Sequence, residues 1–138
     1  VGASFDLLET SSGRVILTFQ NEKERKRRLE RRNYYSKLET TSKISISELK
    51  KIEKLFSKNT MKNIEKNKYE LVKSLQIKGV TNISVPIFDY TNYAIAALTI
   101  PFVDRIITKG ELNLGEVKKL LIKSGKLLSS EMGYKDLK

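Results

Sequence analysis

The stretch from Gly79 to Phe102, GVTNISVPIFDYTNYAIAALTIPF, restricts the possible folds of this chain more than any other. β-Branched and small apolar residues lie on both sides of Asp89-Tyr90-Thr91-Asn92, a cluster of turn formers, and the pattern predicts two antiparallel strands. In the first strand Ile83, Val85 and Ile87 alternate with Asn82, Ser84 and Pro86, giving one apolar face and one mixed face. The second strand, Tyr93 to Ile100, has no charged side chain. That predicts burial on both faces in the middle of the sheet. Proline cannot donate to a ladder, so Pro86 is expected on an outward-facing backbone side of its strand.

The segments before the hairpin read as helices and a third strand. Phe5, Leu7 and Leu8 form a short strand-like entry, and Thr10, Ser11 and Ser12 can cap a helix from about Ser12 to Phe19. Gly13 in the first turn weakens that helix, which points to a close approach by another backbone or by a ligand. Free amides at a helix start suit an anion, and tight packing on the sheet explains Gly13 equally well. Asn21 and Glu24 form a capping-box pattern for a helix over 21–33. In it Lys23, Arg25, Lys26, Arg27, Arg28, Arg31 and Arg32 stand against Glu22, Glu24 and Glu30, with Leu29 the only large apolar residue. Such a run either grips phosphates or is a solvated, internally paired helix. Tyr34 and Tyr35 would correspondingly stack on bases or pin the helix end to the domain.

Ser36 to Ile46 reads as a polar connection. Ser45 and Glu48 then open a helix carrying Leu49, Ile52, Phe56 and Ile64 through to about Lys66. Tyr69 to Leu75 is the expected third strand. After Phe102, Lys109-Gly110 is a turn. Asn113 with Glu116 caps a last helix bearing Val117, Leu120, Leu121, Ser124 and Leu128, which covers one sheet face. Gly133 ends it in a left-handed conformation, and the tail from Lys135 is expected to fray.

The inventory of side chains narrows the chemistry. The 138 residues suffice for one domain and contain neither cysteine nor histidine, which excludes disulfides, thiolate metal sites and the common nucleophile and base pairs. An enzyme is not expected, nor a cofactor or metal. No run approaches the roughly 18 to 20 apolar residues of a membrane span, so a cytoplasmic domain without membrane attachment is expected. Lysine and arginine total 27 against 16 acidic residues, for a net charge of +11. That surplus favours polyanions, or forms a dispersed, solvated lysine surface.

The sequence from the glycine through VPIFD and the polar turn to AIAALTIPF resembles the C-terminal effector-binding domain of IclR-type bacterial transcription regulators. Leu7 to Thr18 (LLETSSGRVILT) and Val117 to Tyr134, ending in Met-Gly-Tyr, are similar to two further segments of that family in order and spacing. The resemblance implies an α/β (α+β) fold: a GAF-like antiparallel sheet flanked by helices, with a small-molecule pocket on one side. It implies an effector, a small organic acid, between the Ser-Gly-Arg helix start and the mixed sheet face. The implied binding residues are Phe5, Ser11, Ser12, Gly13, Val72, Val80, Asn82 and Thr99. Where the family commonly carries an acidic run after the tyrosine of the third strand, this chain has Val72, Lys73, Ser74 and Leu75. A position that is often a small hydroxyl residue is Pro101. Both departures predict a less polar pocket, suited to an aromatic or longer acid or to none.

The family's winged-helix DNA-binding part and the opening of its effector domain have no counterpart here. The expectation is therefore an effector-sensing and oligomerisation domain, a homodimer or homotetramer that meets DNA through a domain outside this chain. The alternatives are a basic nucleic-acid-binding module acting through Lys23 to Arg32, and a sensor-like domain kept only for assembly.

Overall fold

The computed structural model describes residues 6–39, 46–103 and 110–136. In chain order these form α1 (Ser11–Thr18), α2 (Glu22–Glu39), α3 (Ile46–Lys54), α4 (Lys58–Asn67), β1 (Glu70–Lys73), β2 (Val80–Phe88), β3 (Ala94–Val103) and α5 (Leu114–Glu131). The three strands make one antiparallel sheet in the order β1-β2-β3. The hairpin turn is held by Asp89, whose Oδ1 accepts the Thr91 amide at 2.9 Å and whose carbonyl accepts the Asn92 amide. Asn92 takes the left-handed conformation that asparagine tolerates.

β2, rather than β3, is the central strand. α1 lies over one of its faces and α5 over the other, and almost every residue from Val80 to Ile87 is buried. Among the described residues β3 is an edge strand, with Ile95 48% and Val103 51% exposed. The expectation of a doubly buried second strand is therefore corrected. An absence of charge says what a strand can pack against, but not whether a neighbour is present. Pro86 sits two residues past Ser84, the partner of the first β1 residue Glu70, so β1 has already ended at its flank. There the Phe88 amide donates to Ser129 Oγ of α5 at 3.0 Å, in place of a strand.

α5 opens with the full capping box expected of Asn113 and Glu116, each bonded to the other's backbone amide at 3.0 and 2.8 Å. Its inward stripe is Leu121, Gly125 and Ser129, set against Ile83 and Val85. Of the residues expected to face the sheet, Leu120 and Leu128 are instead largely exposed. Gly125 decides the rotation, because a β-carbon there would stand 2.7 Å from Val85 Cγ2. The small residue marks the line of closest approach, and the adjacent leucines fall to its side. Gly133 has a φ of +83°, and the Tyr134 amide returns to the Ser129 carbonyl, closing the helix as expected.

The expected single helix through to Lys66 is two, α3 and α4. Ser57 breaks it by accepting the Thr60 amide as an N-cap at 3.1 Å, a local bond that competes with helix continuation. Ser45, the residue expected to open it, lies outside the described residues. α2 runs to Glu39, so the first four residues of the expected connection from Ser36 are helical; the segment 40–45 lies outside the described residues.

Four of the arginines of α2 have partners within the molecule. Arg25 donates to the carbonyls of Leu17, Thr18 and Gln20 at 2.9 to 3.3 Å, capping the end of α1. Arg32 pairs with Asp6 at 2.8 Å, while Arg27 and Arg28 pair with Glu24. Asn21 caps the Glu24 amide, but the Glu24 carboxylate turns to the two arginines rather than completing the box. Tyr34 is 62% exposed; the Tyr35 side chain lies outside the described residues.

Arg14 joins the first helix to the sheet. Its Nε and Nη2 hold the Glu70 carboxylate at 2.9 Å, and its Nη1 donates to the Leu8 carbonyl at 2.7 Å. The two side chains are only 4% and 12% exposed. Glu70→Ala would leave the guanidinium buried without a counter-charge and should lower stability by about 3–5 kcal/mol in denaturant unfolding. Replacing both partners by methionine should be less damaging than that single change. Gly13→Ala, which helix propensity alone would make favourable, should destabilise by about 1–3 kcal/mol, because its methyl would meet the Leu7 carbonyl at 1.9 Å. Hydrogen bonds from Arg27 and Arg28 hold the Glu24 carboxyl down to a pKa of about 2. The contribution of those pairs is complete above pH 4.5 and is lost as pH falls from there through about 2. An NMR titration of the Glu24 carboxyl should show the low midpoint, and Arg27→Ala should raise it.

Candidate functional site

The mixed face of the hairpin is a polar surface assembled in rows. Glu70, Ser84 and Thr99 are neighbours across the three strands, followed by Val72, Asn82 and Pro101, then Val80 with Val103. Residues two apart on a strand share a face, so Val72, Val80, Asn82 and Thr99 all point to one side. Ser84 and Thr99 share a hydroxyl hydrogen bond of 2.8 Å, and Ser84 is fully buried.

α1 covers this face because Arg14 reaches Glu70 on it. At the other end of the helix the Phe19 carbonyl accepts the Ala94 amide at 3.1 Å, fixing that end at the start of β3. The helix N-terminus therefore heads from the Glu70–Ser84–Thr99 row toward the Val72–Asn82–Pro101 row. Ser11 lies three residues before Arg14, one turn along the same helix face. Ser11, Ser12, Gly13, Val72, Val80, Asn82 and Thr99 thus lie on one side of the sheet, while Phe5 lies outside the described residues.

The first turn of α1 is built by the preceding loop. Thr10 accepts the Gly13 amide on its hydroxyl at 3.1 Å and the Arg14 amide on its carbonyl, which leaves the Ser11 and Ser12 amides as the remaining donors of that turn. The Leu7 carbonyl presses on Gly13, so the chain's own backbone accounts for this glycine. Ser11 is only 2% exposed, and its hydroxyl has no hydrogen-bond partner. A buried hydroxyl left unpaired costs roughly 1–3 kcal/mol; among the described residues the other buried side-chain atom without a partner is Arg32 Nη2. Ser12 is half-buried.

The electrostatics of the face are balanced. The one carboxylate, Glu70, is neutralised by Arg14 in a two-point contact, so neither leaves a net charge for a ligand. Reading the sequence missed both. Arg14 directly precedes the apolar run Val15-Ile16-Leu17, and a cation buried there requires a partner; Glu70, directly before the apolar Leu71-Val72, is the matching sign. Ser84 was visible only as the polar member of an alternation.

Among the described residues, clefts lie along the sheet. One of about 410 Å³ between α4 and β1 is lined by Val72 and Glu70. A second, of about 480 Å³, separates the end of β3 from α5, and a third of about 320 Å³ lies beside Pro86 and Phe88 under α5. Of the sequence-predicted binding residues, Val72 alone lines one of these three clefts. Among the described residues no three acidic side chains gather as metal ligands, and no helix is long and apolar enough to cross a membrane.

Residues 1–130 match the family model for the bacterial transcriptional regulator IclR C-terminal region. A search of curated protein sequences returns no match. The crystal structure of Thermotoga maritima IclR superposes with a TM-score of 0.62 at 28% identity, over 97% of this chain and 50% of that one. Pseudomonas aeruginosa HmgR gives 0.63 at 23% identity, over 99% and 49%. The inducer-binding domain of Acinetobacter PobR, crystallised with 3-hydroxybenzoic acid, gives 0.57 at 19% identity, over 94% and 68%. The chain thus spans about half the length of HmgR and of the Thermotoga IclR. With the family model matched across nearly its whole length, the chain belongs to the IclR family of bacterial transcriptional regulators, within their C-terminal domain.

Proposed function

We propose that this chain is the small-molecule-sensing and oligomerisation part of an IclR-type regulator, and that its effector is an aromatic acid. The observation that carries the reading is the Ser11 hydroxyl, buried and unpartnered at the start of a helix that lies over a polar sheet face. A carboxylate there would accept from that hydroxyl and from the first-turn amides of Ser11 and Ser12, favoured by the positive end of the helix dipole. Val72 and Val80 would flank the ring, with Asn82 supplying a polar contact. With Arg14 committed to Glu70, no formal cation is needed, and the surroundings favour a ring over a chain of hydroxyls. PobR, a structural neighbour, was crystallised with such an acid.

Regulation then works by population shift. An acid that binds one packing of paired domains better than another biases a homodimer or homotetramer toward it. DNA is contacted by a part of the protein outside this chain, inside the cell, where the operator is. The basic helix is not the nucleic-acid reader in this account, since Arg25, Arg27, Arg28 and Arg32 all have internal partners.

Thermal unfolding against a panel of aromatic and aliphatic acids tests the reading. A true effector at 100 times its Kd should add about 2.7 kcal/mol and raise the midpoint by several degrees. Ser11→Ala should keep or slightly raise the stability of the free protein, because it removes an unpaired buried hydroxyl. The same change should weaken the acid about 10- to 100-fold, the worth of a hydrogen bond to a charged group. A panel in which no acid moves the midpoint, or an unchanged shift in Ser11→Ala, defeats the assignment.

A further inference from the structure

Strand β2 runs on past the end of its neighbour β1, and the flank left open there is unlike an ordinary sheet edge. Glu70, the first residue of β1, pairs with Ser84, so Val85 to Phe88 have no strand of the described sheet on that side. Two residues before Glu70, Lys68 closes α4 in the left-handed conformation, with a φ of +62°, which no strand adopts. The Val80 carbonyl accepts the Ser74 amide on the β1 side, so even-numbered residues of β2 turn their polar backbone groups toward this flank. Pro86 has no amide to offer, and that of Phe88 goes to Ser129 Oγ of α5 at 3.0 Å. The flank thus has no free donor for a further strand, and its surface is apolar.

Helix α5 stands beside it. A cleft of about 320 Å³ remains between them, with Val85, Pro86, Phe88 and Ile122 as its apolar lining and Tyr134, stacked on Phe88 at 4.8 Å, at its end. That volume is in the range of small-ligand pockets. Its polar groups are largely committed. Ser129 Oγ accepts from Phe88 and donates to the Gly125 carbonyl at 2.8 Å, and the carbonyls of Leu128, Ser129 and Ser130 accept the amides of Met132, Tyr134 and Gly133. What is left is charge at the rim. Lys68 and Lys126 lie there against Asp136, the one carboxylate among the lining residues, whose Oδ1 is 3.4 Å from the Tyr134 hydroxyl. The Lys68 ammonium sits over the Phe19 ring at 4.9 Å, a contact to one side of the group that leaves donors for an anion.

We propose that this cleft is a second small-molecule site, separate from the one at Ser11, and that it takes a soluble amphiphilic monoanion. An apolar ring or short chain lies against Pro86 and Ile122, and its carboxylate or sulfonate is met at the rim by Lys68 and Lys126. Two cations against one anion give the mouth its sign, and a floor without free donors favours an apolar body over a sugar or a polyol. Ser11 opens α1 and Phe19, under Lys68, follows its end, so about 12 Å of helix separates the two sites at roughly 1.5 Å per residue. They share no residue, so either can fail without the other.

Fluorescence titration of the protein with anilinonaphthalene sulfonate and with N-phenylnaphthylamine, the same ring system without the sulfonate, tests the site. The sulfonate should bind with saturation, and Ser130→Trp, a bulky side chain at the mouth, should remove that binding. Lys68→Glu combined with Lys126→Glu should weaken the sulfonate about tenfold or more and the uncharged amine by less than about threefold. Leu112→Glu, in the cleft beside β3, and Ser11→Ala should leave the sulfonate affinity unchanged. No saturable binding, as when another part of the protein fills the cleft, overturns the proposal. So does an undiminished sulfonate affinity after charge reversal, which marks an apolar surface only, or a loss on Leu112→Glu or Ser11→Ala that Ser130→Trp does not produce, which places the dye elsewhere.

Discussion

One guanidinium group fixes the position of everything around the polar face. Arg14 is nearly inaccessible to water, and three of its donor contacts run outward in different directions: two to Glu70 on β1 and one to the Leu8 carbonyl. Glu70 is the first residue of its strand and pairs with Ser84 on β2. The contact therefore sets the height of α1 over the sheet, the start of β1 and the path of the loop before the helix. A lysine could not replace it, because a single ammonium cannot hold both carboxylate oxygens in a fork and reach a carbonyl as well.

That loop in turn makes the helix start what it is. Leu7 and Thr10 crowd Gly13, whose missing side chain is the space their oxygens occupy. Thr10 takes two of the first amides, and Ser11 is pressed inward without a partner. Under the proposed reading, a wall whose charges cancel, with an unsatisfied hydroxyl and two amides on the sheet side that carries Val72 and Val80, would discriminate by shape and by a single anionic group. The absence of an acidic run after Tyr69 would have the same effect, since a free carboxylate there would repel an acid.

The parts of the fold that rest on neighbouring residues could be read directly. Asn113 with Glu116, Gly133 and the Asp89 to Asn92 turn are encoded within a few positions, and each appears where the spacing puts it. Properties that depend on distant partners were harder to see. Ser57 looked like an ordinary helix residue because the capping bond to Thr60 is cheap on either side of the choice. Paired leucines at 120–121 and 127–128 allow two stripes on α5, and only Val85 across the gap selects the one through Gly125. The grouping of Val72, Asn82 and Thr99 on one side follows from alternation along each strand. The ion pair beneath them joins positions 56 residues apart, which no local pattern marks.

The far end of α1 shows how such a site can speak to the rest of the domain. Helix α1 has eight residues, too short to bend, so a displacement of its first turn is passed to Phe19. Phe19 meets Phe88 edge to face at 5.1 Å, and Phe88 stacks on Tyr134 at 4.8 Å beyond the end of α5. The Phe19 carbonyl holds the Ala94 amide, and Arg25 of α2 gathers the last carbonyls of α1. Three elements thus converge on one helix end: the start of β3, the end of α5 and the basic helix. Under the proposed reading, an acid drawn in at Ser11 acts on a rod whose opposite end is clasped by these three elements. Arg25 of α2 then has a structural use: it holds the clasp together.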